Sequence, residues 1–287
     1  MLTTPVLLPG NMCDARLWRG GDSAIINLLS DQQLGPVYDA DLTQDDSIAG
    51  MAERVLSAPT GMLLPIGFSM GAIVAVEMAV QAPERIAGMV LAGYNATADL
   101  PERAAHRPVQ QSEVCAGGLE RVLVEELKPN YLATQNRQDV QLLDLLRAMG
   151  MSLGAEVFVR QSEALRLRED RRAAIAALNV PVLYMCGSED ALCAPEWHHN
   201  WAAMTPRARF VEIAGAGHML PLEAPHEFAS AIKIWLNDNK GDFLPDGRPY
   251  IDHPCRIIAA LCGCHRFGIR PRARRAGRRL AVFYGYR

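Results

Sequence analysis

The 287-residue chain contains no apolar run of about 18 residues, the length that a membrane-spanning helix requires. Its first residues, MLTTPVLLPG, lack the shape of a signal peptide because no basic residues precede the apolar stretch. The seven cysteines are odd in number and irregularly spaced, which disfavours a disulfide framework. We therefore expect a reduced, cytoplasmic protein without a membrane span.

The chain also lacks a strong excess of charge of one sign, since its formal net charge is −3. Such a balance gives no general attraction to nucleic acid, and no nucleic-acid partner is expected. The average hides an asymmetry, because residues 1–240 carry 19 basic and 29 acidic side chains, whereas residues 241–287 carry 10 and 3. We expect residues 238–287 to form a basic, poorly ordered extension. Its cysteines do not have metal-ligand spacing, so no metal site is expected.

Short apolar segments alternate with helical patterns along most of the chain. Helices are predicted at residues 47–56, 72–80 and 225–236, with Ser47 as the N-cap of the first. Strands alternating with helices are typical of parallel βαβ units. The sequence therefore predicts an α/β fold with a mostly parallel central sheet of about six strands flanked by helices. The predicted strands lie at residues 5–8, 36–38, 61–66, 88–92, 180–186 and 208–213.

Residues 97–178 interrupt this alternation, because they contain helical patterns without a convincing strand. A block of this length is too long for a simple loop. We predict that residues 97–178 form a helical lid over the strand ends, inserted into a core made of residues 1–96 and 179–237. We also expect the lid to select the substrate. Its helical pieces are predicted at residues 119–127, 140–149, 155–167 and 171–178.

The pattern Gly-x-Ser-x-Gly occupies residues 67–71, between a predicted strand and a predicted helix. The glycines suit a tight, strained turn, because side chains at positions 67 and 71 would collide with the neighbouring strand and helix. Such a turn presents the Ser69 hydroxyl above the sheet edge, at the positive end of the helix dipole. Ser69 is therefore the candidate nucleophile.

A serine hydroxyl needs a base to take its proton, and His218 is favoured because its glycine-rich loop directly follows the sixth predicted strand. The base in turn needs an orienting carboxylate, for which Glu189 and Asp190 both follow the fifth predicted strand. Asp190 is favoured because it lies farther along the loop. The chain order Ser69, Asp190, His218 fits this architecture. The other histidines are expected to be solvated or packing side chains, namely His106 in the lid, His198 and His199 on a surface helix, His226, His253 and His265.

The reaction also needs donors for the developing oxyanion, each worth roughly 2.7–4 kcal/mol. One is expected to be the backbone N–H of Met70, immediately after the candidate nucleophile. The second is expected from the loop after the first strand, where Asn11 is the best candidate. Its backbone N–H, rather than its side chain, would be the donor.

These motifs resemble those of the α/β-hydrolase superfamily, with the same lid-bearing fold. The resemblance implies hydrolysis of a carboxylic ester through an acyl-enzyme, without a cofactor, and is closest to small, lid-bearing bacterial esterases and lactonases. One departure is Pro9 before Gly10, where many relatives have histidine. The similar segments together span about residues 5–237 and are residues 7–18, 67–71, 82–86, 185–190 and 215–225.

Several reactions share such residues, so the substrate stays open at this point. The leading expectation is a small-molecule carboxylic ester or lactone, including an N-acyl-homoserine lactone. C–C bond hydrolysis, cyanohydrin cleavage and perhydrolysis are alternatives with the same residues, and a non-catalytic binding module is another. Dehalogenase and epoxide hydrolase chemistry is disfavoured, because such relatives have aspartate at the position of Ser69.

Overall fold

A parallel β-sheet forms the centre of the computed structural model, which describes residues 2–20, 22–127 and 131–243. Within these residues the six strands are β1 (Thr4–Leu8), β2 (Tyr38–Asp39), β3 (Leu63–Phe68), β4 (Met89–Ala92), β5 (Val182–Gly187) and β6 (Ala208–Ile213). All neighbouring strands are parallel, in the order β2–β1–β3–β4–β5–β6. The predicted α/β fold is confirmed, although β2 begins at the last residue of the segment predicted for it.

The central strands are buried on both faces, as expected of a parallel sheet covered by helices on each side. Successive side chains alternate between two hydrophobic clusters. In β1, for example, Leu7 packs in one cluster, whereas Val6 and Leu8 pack in the other. The edge strands β2 and β6 are partly exposed. The position of a residue along a strand therefore decides which layer of the core it joins.

Helices cover the sheet and connect its strands. The helix after β3 is the most enclosed, because every residue from Met70 to Ala79 is buried. The helix after β2 begins where predicted, since the Ser47 hydroxyl accepts a hydrogen bond from the Gly50 N–H at 3.2 Å. The core helices are α1 (Arg16–Arg19), α2 (Ala24–Ser30), α3 (Ile48–Ser57) and α4 (Met70–Gln81), with a 3₁₀ turn at Pro83–Arg85.

Between β4 and β5 the described residues form helices and no strand. Helix α5 begins with Pro101, contains Pro108 and lies outside the helical pieces predicted from the sequence. Helix α7 is interrupted at Gly154 (φ 82°, ψ 177°), so its two halves correspond to two predicted pieces. The helices of this segment are α5 (Pro101–Glu113), α6 (Leu119–Arg121), α7 (Val140–Arg166) and α8 (Arg172–Ala177), with π-helical turns at Val114–Gly118 and Val122–Leu127 and a 3₁₀ turn at Thr134–Asn136.

The last described residues pack against the core. Phe243 is buried, its ring centroid lies 5.2 Å from that of Trp235, and its carbonyl accepts a hydrogen bond from the Thr3 hydroxyl at 2.8 Å. The core therefore continues past residue 238, where we expected the basic extension to begin. The rest of that extension, with His253 and His265, lies outside the described residues. The final helices are α9 (Pro195–Met204), α10 (Leu220–Glu223), α11 (Pro225–Asp238) and α12 (Lys240–Phe243).

No helix in the described part of the chain combines the length and the apolar character needed to cross a membrane.

Candidate active site

Ser69 lies at the sharp turn between β3 and α4, with an unusual backbone conformation (φ 52°, ψ −115°). A Cβ atom at Gly67 would lie 2.5 Å from the Ala72 Cα in the helix, and one at Gly71 would lie 2.0 Å from the Leu8 carbonyl oxygen in the strand. The steric requirement expected for both glycines is therefore present. Strain of this kind costs about 1–3 kcal/mol and is concentrated at functional sites.

The structure brings the three candidate catalytic side chains into one hydrogen-bonded series. His218 Nε2 lies 3.0 Å from the Ser69 Oγ, and His218 Nδ1 lies 2.8 Å from the Asp190 Oδ2. His218 and Asp190 are both buried. Glu189, the other carboxylate considered, accepts a hydrogen bond from the Thr134 N–H at 2.8 Å instead. Of the two neighbouring carboxylates, Asp190 is the one that contacts the imidazole.

The environment of Asp190 favours its ionised form. Burial by itself would raise the pKa of this carboxyl, but the charge and hydrogen bond of His218 and the Cys193 N–H hold the pKa below its ordinary value. The Leu192 and Cys193 N–H groups donate to Oδ1 at 2.9 and 2.8 Å, while His218 contacts Oδ2. The carboxylate is thus fixed on both oxygens and can orient the imidazole.

The backbone of His218 is held from segment 97–178. The Tyr131 carbonyl oxygen accepts hydrogen bonds from the N–H groups of His218 and Met219 at 2.8 and 3.2 Å. The imidazole lies near the rings of Phe68 and Tyr131, with centroid separations of 5.1 and 5.9 Å. Gly93 contacts the same imidazole, because a Cβ added there would lie 2.9 Å from Cε1.

The two expected oxyanion donors lie at the same cavity as Ser69 and His218. Met70 is the first residue of α4, so its N–H has no acceptor within the helix. Neither the Met70 nor the Asn11 N–H has a hydrogen-bond acceptor among the described residues. The Asn11 side chain is engaged elsewhere, because its Nδ2 donates to the Gln161 Oε1 at 3.2 Å. The backbone N–H groups of Asn11 and Met70 are therefore available to a ligand.

The cavity in front of Ser69 has a volume of about 260 Å³. One part of its lining comes from the core and another from segment 97–178. That segment contributes Arg103, Arg107, Gln110, Glu126, Leu165 and Arg168. In the described residues, no group of three or more His, Cys, Asp or Glu side chains could hold a metal ion.

Comparison with known protein families shows which family has this arrangement of elements and residues. The model of the alpha/beta hydrolase family matches residues 6–231, which is most of the chain. The chain belongs to the alpha/beta hydrolase family.

Several known proteins are similar to this alpha/beta hydrolase. A pimeloyl-[acyl-carrier protein] methyl ester esterase of Yersinia pseudotuberculosis serotype IB (strain PB1/+) is 27% identical over 202 residues, covering 68% of this chain and 77% of that protein. A thermophilic esterase from Thermogutta terrifontis is similar with a TM-score of 0.73 at 24% identity, covering 83% and 90% of the two chains. The enol-lactonase from Burkholderia xenovorans LB400 has a TM-score of 0.69 at 19% identity, covering 83% and 92%. At such identities the two structures show the shared fold.

The other histidines of this alpha/beta hydrolase have different surroundings. Helix α9 has an exposed face, as predicted, and His198 is a packing histidine, because it lies fully buried on the inner face of that helix. Its Nε2 accepts a hydrogen bond from the Tyr94 N–H at 2.8 Å, and burial lowers its pKa to about 4. The remaining described histidines, His106, His199 and His226, are exposed.

Two residues near the candidate site had no role in the sequence interpretation. Gly93 follows the fourth predicted strand, so its position after a strand end was an available signal. Gln161 is buried in α7, far from Asn11 along the chain, and no local pattern distinguishes it from a solvent-facing glutamine.

Proposed function

We propose that this alpha/beta hydrolase cleaves small carboxylic esters, with Ser69 as the nucleophile, His218 as the general base and Asp190 as the acid that orients it. The observation that carries the proposal is the series Ser69–His218–Asp190, with separations of 3.0 and 2.8 Å at the base of a cavity. The esterase name of the relative at 27% identity supports the same reaction class.

In the proposed acylation, the Ser69 Oγ attacks the ester carbonyl carbon while its proton passes to His218 Nε2. The resulting tetrahedral intermediate carries a negatively charged oxygen, which the free N–H groups of Asn11 and Met70 would stabilise. When this intermediate collapses, the C–O bond to the leaving alcohol breaks. The alcohol oxygen takes the proton from His218, which leaves an acyl group on Ser69.

In the proposed deacylation, a water molecule attacks the acyl carbonyl carbon and gives its proton to His218 Nε2. The second tetrahedral intermediate expels the Ser69 oxygen, which recovers that proton, and the carboxylic acid leaves. Asp190 stays ionised throughout and stabilises the imidazolium formed in each half-reaction. This role fits the lowered pKa of its carboxyl.

Segment 97–178 is proposed to act as the lid of this site. It contributes lining residues such as Gln110 and Leu165 to the cavity in front of Ser69. The reacting carbonyl group is the same in all esters. Discrimination between acyl groups therefore has to come from surfaces that contact the rest of the substrate. A lactone is a second candidate substrate because it presents the same carbonyl, and a structural neighbour of similar fold is an enol-lactonase.

The experiment pairs a substrate panel with a nucleophile variant. Wild-type protein and Ser69→Ala are assayed with p-nitrophenyl esters, methyl esters, simple lactones and an N-acyl-homoserine lactone. We expect ester hydrolysis by the wild type and a loss on the order of 10⁶-fold in Ser69→Ala. A fluorophosphonate probe should label Ser69 irrespective of the natural substrate. Absence of both hydrolysis and labelling in folded wild-type protein would refute the proposal.

A further inference from the structure

Gln161 makes an unusually complete set of hydrogen bonds for a buried side chain. It lies in α7 and is 1% exposed. Its Oε1 accepts from the Met12 N–H at 2.8 Å and from the Asn11 Nδ2 at 3.2 Å, while its Nε2 donates to the Leu42 carbonyl oxygen at 3.0 Å. A buried amide satisfied on both ends is strongly fixed in position, because loss of either partner would leave an unpaired polar group.

The loop that Gln161 contacts is strained. The Cys13 N–H donates to the Gly10 carbonyl at 3.1 Å and closes a turn, in which Met12 has φ 53°. The left-handed backbone conformation costs roughly 1–2 kcal/mol for a residue other than glycine. The turn therefore needs contacts from outside itself to stay in this conformation.

The peptide group between Asn11 and Met12 is held at both ends. Its N–H donates to Gln161, and its carbonyl oxygen lies 3.5 Å from the Cys13 Sγ, which donates to it. Rotation of this peptide would break both contacts. The conformation of the turn fixes the direction of the preceding N–H, that of Asn11, which is the free donor at the cavity beside Ser69.

We infer that Gln161 is a positioning residue for the oxyanion site: it holds the Asn11–Met12 peptide so that the Asn11 N–H points at the developing oxyanion. The inference rests on the proposed function, because it assigns a role within that same site. Gln161 itself does not line the cavity in front of Ser69.

An amide suits this role better than other side chains of similar size. The Met12 N–H needs an acceptor, whereas the Leu42 carbonyl needs a donor, and an uncharged amide offers both on one planar group. A carboxylate would face the Leu42 carbonyl with like polarity, and a hydrocarbon would leave both backbone groups unpaired in the interior. The Leu42 contact thereby sets which end of the amide faces Met12.

The second half of α7 is anchored to the core by two adjacent residues, which provides a matched control. Arg160 Nε donates to the Thr43 carbonyl at 2.9 Å, next to the Leu42 contact of Gln161. Unlike Gln161, Arg160 makes no hydrogen bond to the loop of Asn11 and Met12. Arg160→Met therefore removes a similar anchor of the same helix without touching the oxyanion loop.

The test compares Gln161→Met with Arg160→Met and the wild type in two assays. The first measures kcat and KM for p-nitrophenyl acetate, and the second measures the maximal rate of labelling of Ser69 by a fluorophosphonate, whose phosphoryl oxygen occupies the oxyanion site. We expect Gln161→Met to lower kcat and the labelling rate by about 10- to 100-fold, with KM changed less than about threefold. Arg160→Met should stay within about threefold of the wild type in both.

The outcomes separate the inference from the proposed function. A wild-type protein that is not labelled at Ser69 refutes the proposed function itself. A labelled wild type whose Gln161→Met variant reacts as fast as Arg160→Met refutes the positioning role alone, as does a rise in KM with kcat unchanged. If Gln161→Met does not fold, Cys13→Ala decides, because it releases the other end of the same peptide. That variant should lose about two- to fivefold in labelling rate, and an unchanged rate would overturn the inference.

Discussion

Gly93 lies against the imidazole of His218, so closely that a methyl group at Gly93 would be 2.9 Å from Cε1 and 3.2 Å from Nδ1. Real Cβ atoms essentially never lie within 3.0 Å of another heavy atom, so either the imidazole or the backbone would have to shift. The absence of a side chain at Gly93 is therefore a condition for the observed contact between His218 and Ser69.

Gly93→Ala is expected to displace the imidazole from Ser69 and to lower kcat/KM for p-nitrophenyl acetate by about 100-fold or more. The backbone of Gly93 also has φ +59°, so the variant carries strain as well as a clash. Gly117→Ala is the control, because Gly117 has φ +98° and no heavy atom within 4 Å of the added Cβ. It should lose about 1–2 kcal/mol of stability and keep its activity. If both variants lost similar activity, backbone strain would be the cause of the loss and the clash with His218 would not.

The neighbouring carboxylates Asp190 and Glu189 are expected to respond differently to amide substitution. Asp190→Asn keeps the shape of the side chain but favours the wrong imidazole tautomer, so kcat should fall by up to about 10⁴-fold. Glu189→Gln should be mild, because Glu189 contacts the Thr134 N–H and not His218. Steady-state kinetics of both variants tests the assignment, and the reverse ranking would transfer the role to Glu189.

The cavity lining is rich in guanidinium groups, which predicts a preference for anionic acyl chains. Arg107 and Arg168 share one buried carboxylate, that of Asp99, at 2.6 and 2.9 Å. Arg103 lines the same cavity and forms no ion pair within the described residues. We expect the monomethyl ester of a dicarboxylic acid to have a lower KM than a methyl ester of the same length without the second carboxylate.

Arg103→Gln should raise the KM of the dicarboxylic monoester roughly tenfold and leave the neutral ester unchanged. Both substrates are assayed with both proteins at low salt and at 0.5 M salt, because salt on the order of 0.5 M screens interactions between exposed charges. Glu126 also lines the cavity, but it is already bound by Arg121 and Gln110 at 2.7 and 2.8 Å. An equal effect of the substitution on the two esters would exclude recognition of the acyl charge.

Buried His198 is expected to make stability depend on pH below neutrality. Burial lowers its pKa from 6.5 to about 4, although the nearby charge of Asp190 opposes this change. Between these two pH values the unfolded chain binds a proton at this histidine and the folded chain does not. The folded state therefore loses stability as the pH falls from about 6.5 towards 4, by about 2–3 kcal/mol at pH 4.5.

Urea unfolding of wild type and His198→Gln at pH 7 and pH 4.5 measures this contribution. Glutamine can still accept the hydrogen bond from Tyr94 but does not titrate. The difference in unfolding free energy between the two pH values should thus be smaller in the variant by about 2–3 kcal/mol. Identical pH dependence in the two proteins would mean that His198 does not titrate between these values.

The extent of the folded core is tested by two truncations. Removal of everything after Phe243 keeps its contact with Trp235 and its carbonyl bond to Thr3, whereas removal after Asn239 deletes them. We expect the longer product to fold and hydrolyse esters. The shorter product should lose about 3–5 kcal/mol of stability, as for truncation of a buried phenylalanine. Thermal melting with an esterase assay compares the two, and equal stability would place Phe243 outside the core.

Much of the fold and of the candidate site follows from the sequence because the relevant signals are local. The strands are contiguous apolar runs, since both faces of a parallel strand are buried. Gly67 and Gly71 flank Ser69 within five positions, so the motif is visible in the sequence, although the Cβ collision at Gly71 is with Leu8 in the neighbouring strand β1. In parallel units, loops that follow different strands meet at one sheet edge. That rule predicted the meeting of Ser69, Asp190 and His218 without knowledge of their coordinates.

The sequence could not decide contacts that depend on which distant surface faces a residue. A glutamine on a helix has the same local pattern whether it faces solvent or, like Gln161, the backbone of Met12, 149 positions away. For the same reason the sequence left open whether His198 is solvated or packed, and the structure encloses it between Tyr94 and the start of its own helix. Phe243 lies beside a change in charge composition, but its ring packs on Trp235. Burial and hydrogen-bond partners at such positions are set by the packing of whole elements, which only the tertiary structure provides.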